Sequence, residues 1–488
     1  MHTNKFKLEV IKKILDSVRG LTLGEADKKG IFDKPEVDKN KGIAGNVIQQ
    51  SVLDCPADNK QEPDIIVDGI KTELKVTGLR KVKKGKHDYK AKEPMSITAV
   101  SPSRIINEDF NDSALWHKLE HMLLVYYLYD SDITVLASEY AEFPILGYQF
   151  HEFEENEKEI LKKDWELVRN FLRNVHNELD NPSSKYHEIS KLRENMLFMD
   201  TAPKYPNSPR FRLKQSVVST IVQKHFGIDF KHSYDYIKFN STDDLNEILH
   251  KFSSIHKNKS ISQIAFDLSI ELKRNSEGKV SKSITERVLT SAFGATAGKL
   301  RQIEIFAKIG IIPKTIAISS KGARTEDTKL DAVDFSEWTD TSISFEDSSL
   351  YNYFANHVIL FSIFQEPTIG TALEDSVFLG FKRITFNDDF IYAHVKPTWD
   401  KVRELIINNE LVVSETLTKY GKPRVNKSGT TMEATNFPKA KDYVVFLRGT
   451  GQDSTNKTFS INGFQMYPQN FWIKGNILVE MLSKIDFI

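Results

Sequence analysis

The feature that most constrains this chain is that it runs one pattern twice. Lys71-Thr72-Glu73-Leu74-Lys75 returns as Lys314-Thr315-Ile316-Ala317-Ile318. Ser113 to Lys118 resembles the stretch from Ser349 to Tyr353. Asp164-Trp165-Glu166-Leu167-Val168-Arg169 matches Thr398-Trp399-Asp400-Lys401-Val402-Arg403, and Phe211-Arg212-Leu213-Lys214 matches Phe471-Trp472-Ile473-Lys474. Four matches in one order, with spacing that loop insertions explain, predict two lobes sharing a fold. At 488 residues the chain is also too long for one ordinary core. The expected division is residues 1–230 for the first lobe, 231–258 for a polar linker and 259–488 for the second.

Apolar spacing in the first lobe alternates between helical and strand periods. Phe6, Leu8, Ile11, Ile14, Leu15 and Val18 mark a helix closed by Gly20, and Ile43 to Leu53 marks another. Strands are expected at 96–100, 122–127, 133–137 and 196–199, a short helix at 115–119 and a long one from Glu157 to about His176. The order describes an α/β fold, a mixed sheet flanked by helices.

The repeat also separates chemistry from structure. Trp165 and Trp399 are kept in both copies, whereas Glu73, Lys75 and Lys118 of the first face Ile316, Ile318 and Tyr353 of the second. The stretch Pro63 to Val76 reads as an acidic residue, a turn at Gly69 and a strand on which Glu73 and Lys75 share a face. Asp64 can join them around the turn. Two carboxylates and an ammonium supply oxygen ligands for a hard cation and a cation beside a scissile phosphate, the needs of a hydrolytic Mg²⁺ site on DNA. The second lobe lacks those groups and is expected to bind without cutting.

Directly after this strand, seven of the thirteen residues Arg80 to Lys92 are Lys or Arg, among them Lys83, Lys84 and Lys86. Such a run serves as a soluble hairpin tip or, beside a phosphodiester site, as a contact to backbone phosphates. Lys plus Arg equals Asp plus Glu at 67 each, so a nucleic-acid surface must come from local clustering. The single cysteine, Cys55, excludes an internal disulfide framework and a cysteine-rich zinc site. No signal peptide and no run of about 18 apolar residues is present, so a cytoplasmic protein without membrane attachment is expected.

Two other motifs invite different readings. His117-Lys118-Leu119-Glu120-His121 fits the inverted zinc-protease pattern, with Glu194 as a conceivable third ligand. The second copy holds Asn352 and Asn356 there, which disfavours a zinc site. Gly294 to Leu300 is one residue short of a phosphate loop and ends in Leu where a Mg²⁺-binding hydroxyl is required, so it reads as a helix C-terminal turn.

Taken together, Gly45, Asp64, Glu73-Leu74-Lys75, His117-Lys118-Leu119, Asp164-Trp165-Glu166 and Phe211-Arg212-Leu213-Lys214 resemble the MutH-type endonucleases, which act at GATC. The resemblance implies a restriction-endonuclease-like fold in two tandem lobes forming a pseudo-dimer, the second catalytically dead. It implies Asp64 and Glu73 as Mg²⁺ ligands, Lys75 orienting the nucleophilic water and Lys118 contacting the phosphate. The family's glutamate on the preceding helix corresponds here to Gln49, which keeps an acceptor oxygen and loses the charge. A DNA-binding protein that does not cut, or is directed by methylation, is the alternative this departure leaves open. For DNA reading the resemblance points to Lys204, Arg210, Arg212 and Lys214, as base readers or phosphate contacts, with Trp472 and Lys474 equivalent in the second lobe. The implied partners are double-stranded DNA, engaged at one site or two, a second protein molecule on DNA, and a companion DNA methyltransferase.

Overall fold

The computed structural model describes residues 4–488 apart from 36, 40–41, 57–61, 83–88, 132–134, 203–207, 231–239, 295–298, 325, 334, 342, 347, 369, 427–428 and 452–456. Lys83, Lys84, Lys86 and Lys204 lie outside the described residues. The chain divides into two compact units, one of Met1–Ser131, Val135–Leu249 and Leu289–Ile311, the other of His250–Val288 and Ile312–Ile488.

In the first unit the strand Met122–Leu128 is buried at all seven positions. It can be apolar throughout because both its faces are covered. It pairs in parallel with Ile70–Lys81, Glu73 opposite Met122 and Lys75 opposite Leu124, and antiparallel with Ile145–His151. Ile65–Val67 extends the sheet beyond Ile70–Lys81. One face packs on Ile11, Leu15, Val47 and Ile48 through Leu74, Leu123 and Val125. A smaller sheet runs Met95–Ala99, Arg210–Leu213, Met199–Ala202. The long helix is Glu155–Glu178, with Trp165, Val168 and Leu172 buried.

The second unit has strands in a comparable order. A three-stranded sheet runs Ile311–Ser319, Val358–Glu366, Val377–Ile384, and another Thr328–Ala332, Gln469–Ile473, Val445–Gly449. Local devices recur as well. Ser113 caps the helix Ala114–Leu119 by accepting from Trp116 N and donates to Phe110 O. Ser348 caps Ser349–Asn356 by accepting from Tyr351 N and donates to Phe345 O. The guanidinium of Arg169 lies 4.9 Å from the Trp165 ring, and that of Arg403 lies 4.9 Å from Trp399. Ile316, in place of Glu73, is 1% exposed within the apolar core.

Several expectations differ from the structure, the strand expected at 196–199 among them, which runs Met199–Ala202. The helix read over 43–53 changes character, Ile43–Asn46 being α-helical and Val47–Val52 a π-helical turn. Of the strand expected at 133–137, residues 132–134 lie outside the described residues and Ala137 opens a 3₁₀ helix. The true strand is Ile145–His151, disguised in sequence by Pro144 and by Gly147 beside a register shift. Within the stretch read as linker, Thr242–His256 is a 15-residue helix. Its apolar stripe, with Leu245, Leu249 and Phe252 buried, is diluted by polar residues. Residues 289–311, expected in the second lobe, belong to the first unit.

Candidate active site

The site begins at a two-residue turn. Asp68 and Gly69 both have positive φ, 48° and 88°, and join Ile65–Val67 to Ile70–Lys81. Asp-Gly accommodates that backbone at little cost, which fixes the hairpin register. Ile65 faces Thr72, so one step further Asp64 stands opposite Glu73. The period of two then puts Lys75 on the face of Glu73.

Glu73 is 1% exposed, and two ammoniums converge on it. Lys75 Nζ lies 2.8 Å from Oε1, and Lys118 Nζ lies 2.9 Å from both Oε1 and Oε2. Lys118 comes from the Ser113-capped helix and is itself buried. The Glu73 N–H donates to the carbonyl of His121 at 2.9 Å, fixing the strand where that helix leads into Met122–Leu128. Asp64 Oδ2 accepts the Leu74 N–H at 3.0 Å. Burial first, and then the charge of Glu73, push the Asp64 carboxyl up to about 6 against the pull of Lys75, Lys118 and the Leu74 N–H. A buried Asp64 whose proton affinity is raised partly by the carboxylate beside it marks a place where added positive charge is favoured.

The donor set suits a hard divalent ion. Asp64 and Glu73 offer oxygens, and among the described residues no group of three or more His, Cys, Asp or Glu converges. Mg²⁺ is commonly held by one or two carboxylates, with waters and substrate phosphate completing its shell. Gln49 donates from its side-chain Nε2 to Pro56 O at 3.2 Å, and its main-chain carbonyl accepts from Cys55 N.

The zinc reading fails on geometry. The helix ends at Leu119, so His121 lies beyond it rather than one turn above His117, and its Nδ1 engages Glu152 at 2.9 Å.

The expected DNA-reading residues fare unevenly. Arg210 is exposed. Arg212 lies opposite Asp200 across paired strands and grips it with a fork, Nε to Oδ1 at 2.7 Å and Nη2 to Oδ2 at 3.0 Å. That fork is the one guanine would need, and leaving it would strand a carboxylate that is 1% exposed. Lys214 is a correction. It is 2% exposed and donates to Met196 O at 2.6 Å, so it anchors the chain and does not face DNA. In the second unit Trp472 is half-buried with Arg448 4.9 Å from its ring, and Lys474 leads into the helix Gly475–Ser483.

Sequence reasoning did not identify two buried polar clusters of the first unit. Asp164 accepts the N–H groups of Leu197, Phe198 and Met199, each at 2.8 Å, holding the start of Met199–Ala202. Burial raises its carboxyl to about 6, with Lys214 and those N–H groups opposing. Lys308 is buried between Glu157 and Glu304, and Glu304 also receives Lys224. The i,i+4 spacing of Glu304 and Lys308 was visible in sequence, but nothing there placed Glu157 beside them.

Glu157, Lys224, Glu304 and Lys308 line a cavity of about 240 Å³ with His151, whose Nε2 has no partner among the described residues. Burial, then Lys308 and Lys224, hold His151 down to about 3. Its folded pKa lies below the unfolded one, so its contribution is complete above about pH 6.5 and is lost as pH falls toward 3. Between pH 6.5 and 5 the protein should lose about 2 kcal/mol of stability through this group. Denaturant titrations of wild type and His151→Gln check this: the variant should show a shallower decline over that interval.

Residues 53–164 match the family described as DNA mismatch repair enzyme MutH. That span contains Asp64, Glu73, Lys75 and Lys118, and Gln49 lies outside it. Over 372 residues, 70% of this chain and 70% of the relative, the sequence is 25% identical to the type II restriction enzyme Sau3AI of Staphylococcus aureus.

Proposed function

Because the chain belongs to the MutH-type endonucleases, we propose that it is a type II restriction endonuclease hydrolysing double-stranded DNA at 5′-GATC, or a closely related site, with Mg²⁺. The observation that carries this reading is the convergence of Lys75 and Lys118 on a buried Glu73 that stands across a hairpin from Asp64.

Asp64 and Glu73 would hold the ion, which when bound polarises a phosphoryl oxygen and lowers the pKa of attacking water. Lys75, the more exposed of the two lysines, orients that water in line with phosphorus. Lys118 faces charge developing on the phosphate, where a preformed cation needs no reorganisation during the reaction. Glu73 keeps both ammoniums in place before substrate arrives.

The recurring strand order, Ser caps and Arg–Trp stacks support a second MutH-like lobe, with the two lobes forming a pseudo-dimer. Ile316, Ile318 and Tyr353 stand where Glu73, Lys75 and Lys118 stand in the first, so that lobe binds DNA without cutting and acts as effector. With one active site per chain, cutting both strands takes two protein molecules or two sequential nicks. No helix among the described residues is long and apolar enough to cross a membrane. A cytoplasmic enzyme paired with a DNA methyltransferase fits this reading. Gln49, uncharged and turned to Pro56, favours the alternative of a protein that binds DNA without cutting.

Mapping the cut ends on unmodified DNA tests the recognition sequence, and ends away from GATC would remove it. For the effector role, a plasmid carrying two sites should be cut at least several-fold faster than one carrying a single site. Equal rates would remove the effector lobe.

A further inference from the structure

Within the second unit the described residues from Val413 to Thr435 build an arm in which no side chain is buried. At its base Val413–Glu415 pairs with Glu433–Thr435. Above it lie two tight turns, closed by Thr418 N to Lys422 O at 2.7 Å and Asn426 N to Thr430 O at 2.8 Å. The stretch between the turns is locked by a ring of main-chain bonds. Thr416 N donates to Met432 O, Met432 N to Arg424 O and Arg424 N to Thr416 O, at 2.7, 2.8 and 2.8 Å. The side chains of Thr416, Thr418 and Asn426 turn back on this frame, and Lys419 Nζ lies 4.8 Å from the Tyr420 ring, while the described basic side chains stay exposed.

Those side chains have a consistent chemistry. Between Glu415 and Glu433 the sequence holds Lys419, Lys422, Arg424 and Lys427 and no acidic residue, in a chain whose charges otherwise balance. Lys419, Lys422 and Arg424 are exposed, and among the described residues none has a carboxylate within 4.0 Å. Glu433, at the base, is engaged by Lys457. Tyr420 is 78% exposed between two of these lysines, with Leu417 and Val425 also uncovered. Mutually repelling cations interleaved with an exposed ring, on a frame that holds its own shape, complement the phosphate wall of a nucleic acid.

We propose that this arm is a second DNA contact, a sequence-independent clamp in which Lys419, Lys422 and Arg424 meet backbone phosphates and Tyr420 lies against the sugar-phosphate chain. The inference rests on the DNA-cutting reading above but concerns different residues. Phosphate contacts position without carrying sequence information, so the arm raises affinity alike for duplexes with and without GATC.

The test is duplex binding by the full chain in a Lys75→Ala background, followed by fluorescence anisotropy over a series of KCl concentrations. The triple variant Lys419→Ala, Lys422→Ala, Arg424→Ala should flatten the plot of log affinity against log salt by about 2 to 3, at about 0.9 per lost phosphate contact. Affinity should fall equally on GATC and scrambled duplexes. Single Lys→Gln variants, which disturb the frame least, should each flatten the slope by about 0.9. If the parent binds duplex and the slope stays unchanged in every variant, the arm is not a DNA contact while the nuclease reading survives. A change in oligomeric state with an unchanged slope would assign the arm to protein association and overturn the proposal. A parent that binds no duplex would sink both readings.

Discussion

Lys75→Ala is expected to lower the rate of DNA cleavage by about 10² to 10³ while leaving the melting temperature and duplex affinity close to wild type. The reason is its position. Lys75 is the partly exposed member of the pair on Glu73, with 21% of its side chain accessible against 8% for Lys118. Removing it takes away a charge at the mouth of the site and leaves Lys118 still bonded to both Glu73 oxygens. Lys118→Ala is a poorer probe, because it would leave a buried carboxylate with less compensation and mix stability with rate. Single-turnover cleavage, with anisotropy as the binding control, separates the outcomes. Unchanged cleavage by Lys75→Ala would remove the lysine from the chemistry. Duplex binding by wild type without cleavage in any divalent metal would favour the non-cutting reading that Gln49 suggests.

The largest stability effect is expected at Asp164. Asp164→Ala strips the acceptor from three main-chain N–H groups and leaves Lys214, buried nearby, without its principal countercharge. Orphaned buried donors and an uncompensated charge together should cost about 4 kcal/mol. The first unit should melt roughly 10 °C lower. Asp164→Asn, which keeps one acceptor oxygen, should fall between. Thermal denaturation followed by circular dichroism reads both variants, and a shift under about 2 °C for Asp164→Ala would mean the N–H groups find other partners.

How far the sequence reached depended on whether a local rule governed the residue. Asp64, Glu73 and Lys75 were legible because an Asp-Gly turn sets the register and the strand period sets the face, with no tertiary information needed. Lys118 was reached through the resemblance to the MutH-type endonucleases, with the repeat setting it against Tyr353 in the second copy. Lys214 was misjudged, and the engagement of Arg212 by Asp200 went unseen, for a physical reason. A basic residue at a strand end looks identical in sequence whether it faces solvent or is drawn inward by a buried acid, and Asp200 and Asp164 could be located only by the fold. The strand Ile145–His151 was hidden by Pro144 and Gly147, and the helix Thr242–His256 by its polar composition. Residues 289–311 joined the first unit through Lys308, Glu304 and Glu157, partners too distant in sequence for periodicity to register.

The most direct measurement is incubation of the purified protein with unmodified plasmid DNA in Mg²⁺, with parallel reactions in excess chelator and on the same plasmid methylated at GATC. The expected result is discrete fragments ending at GATC in Mg²⁺ and intact plasmid in chelator. A plasmid left supercoiled by the wild-type protein with Mg²⁺, Mn²⁺ or Ca²⁺ alike would contradict the assignment of Asp64, Glu73, Lys75 and Lys118 as a DNA-hydrolysing site.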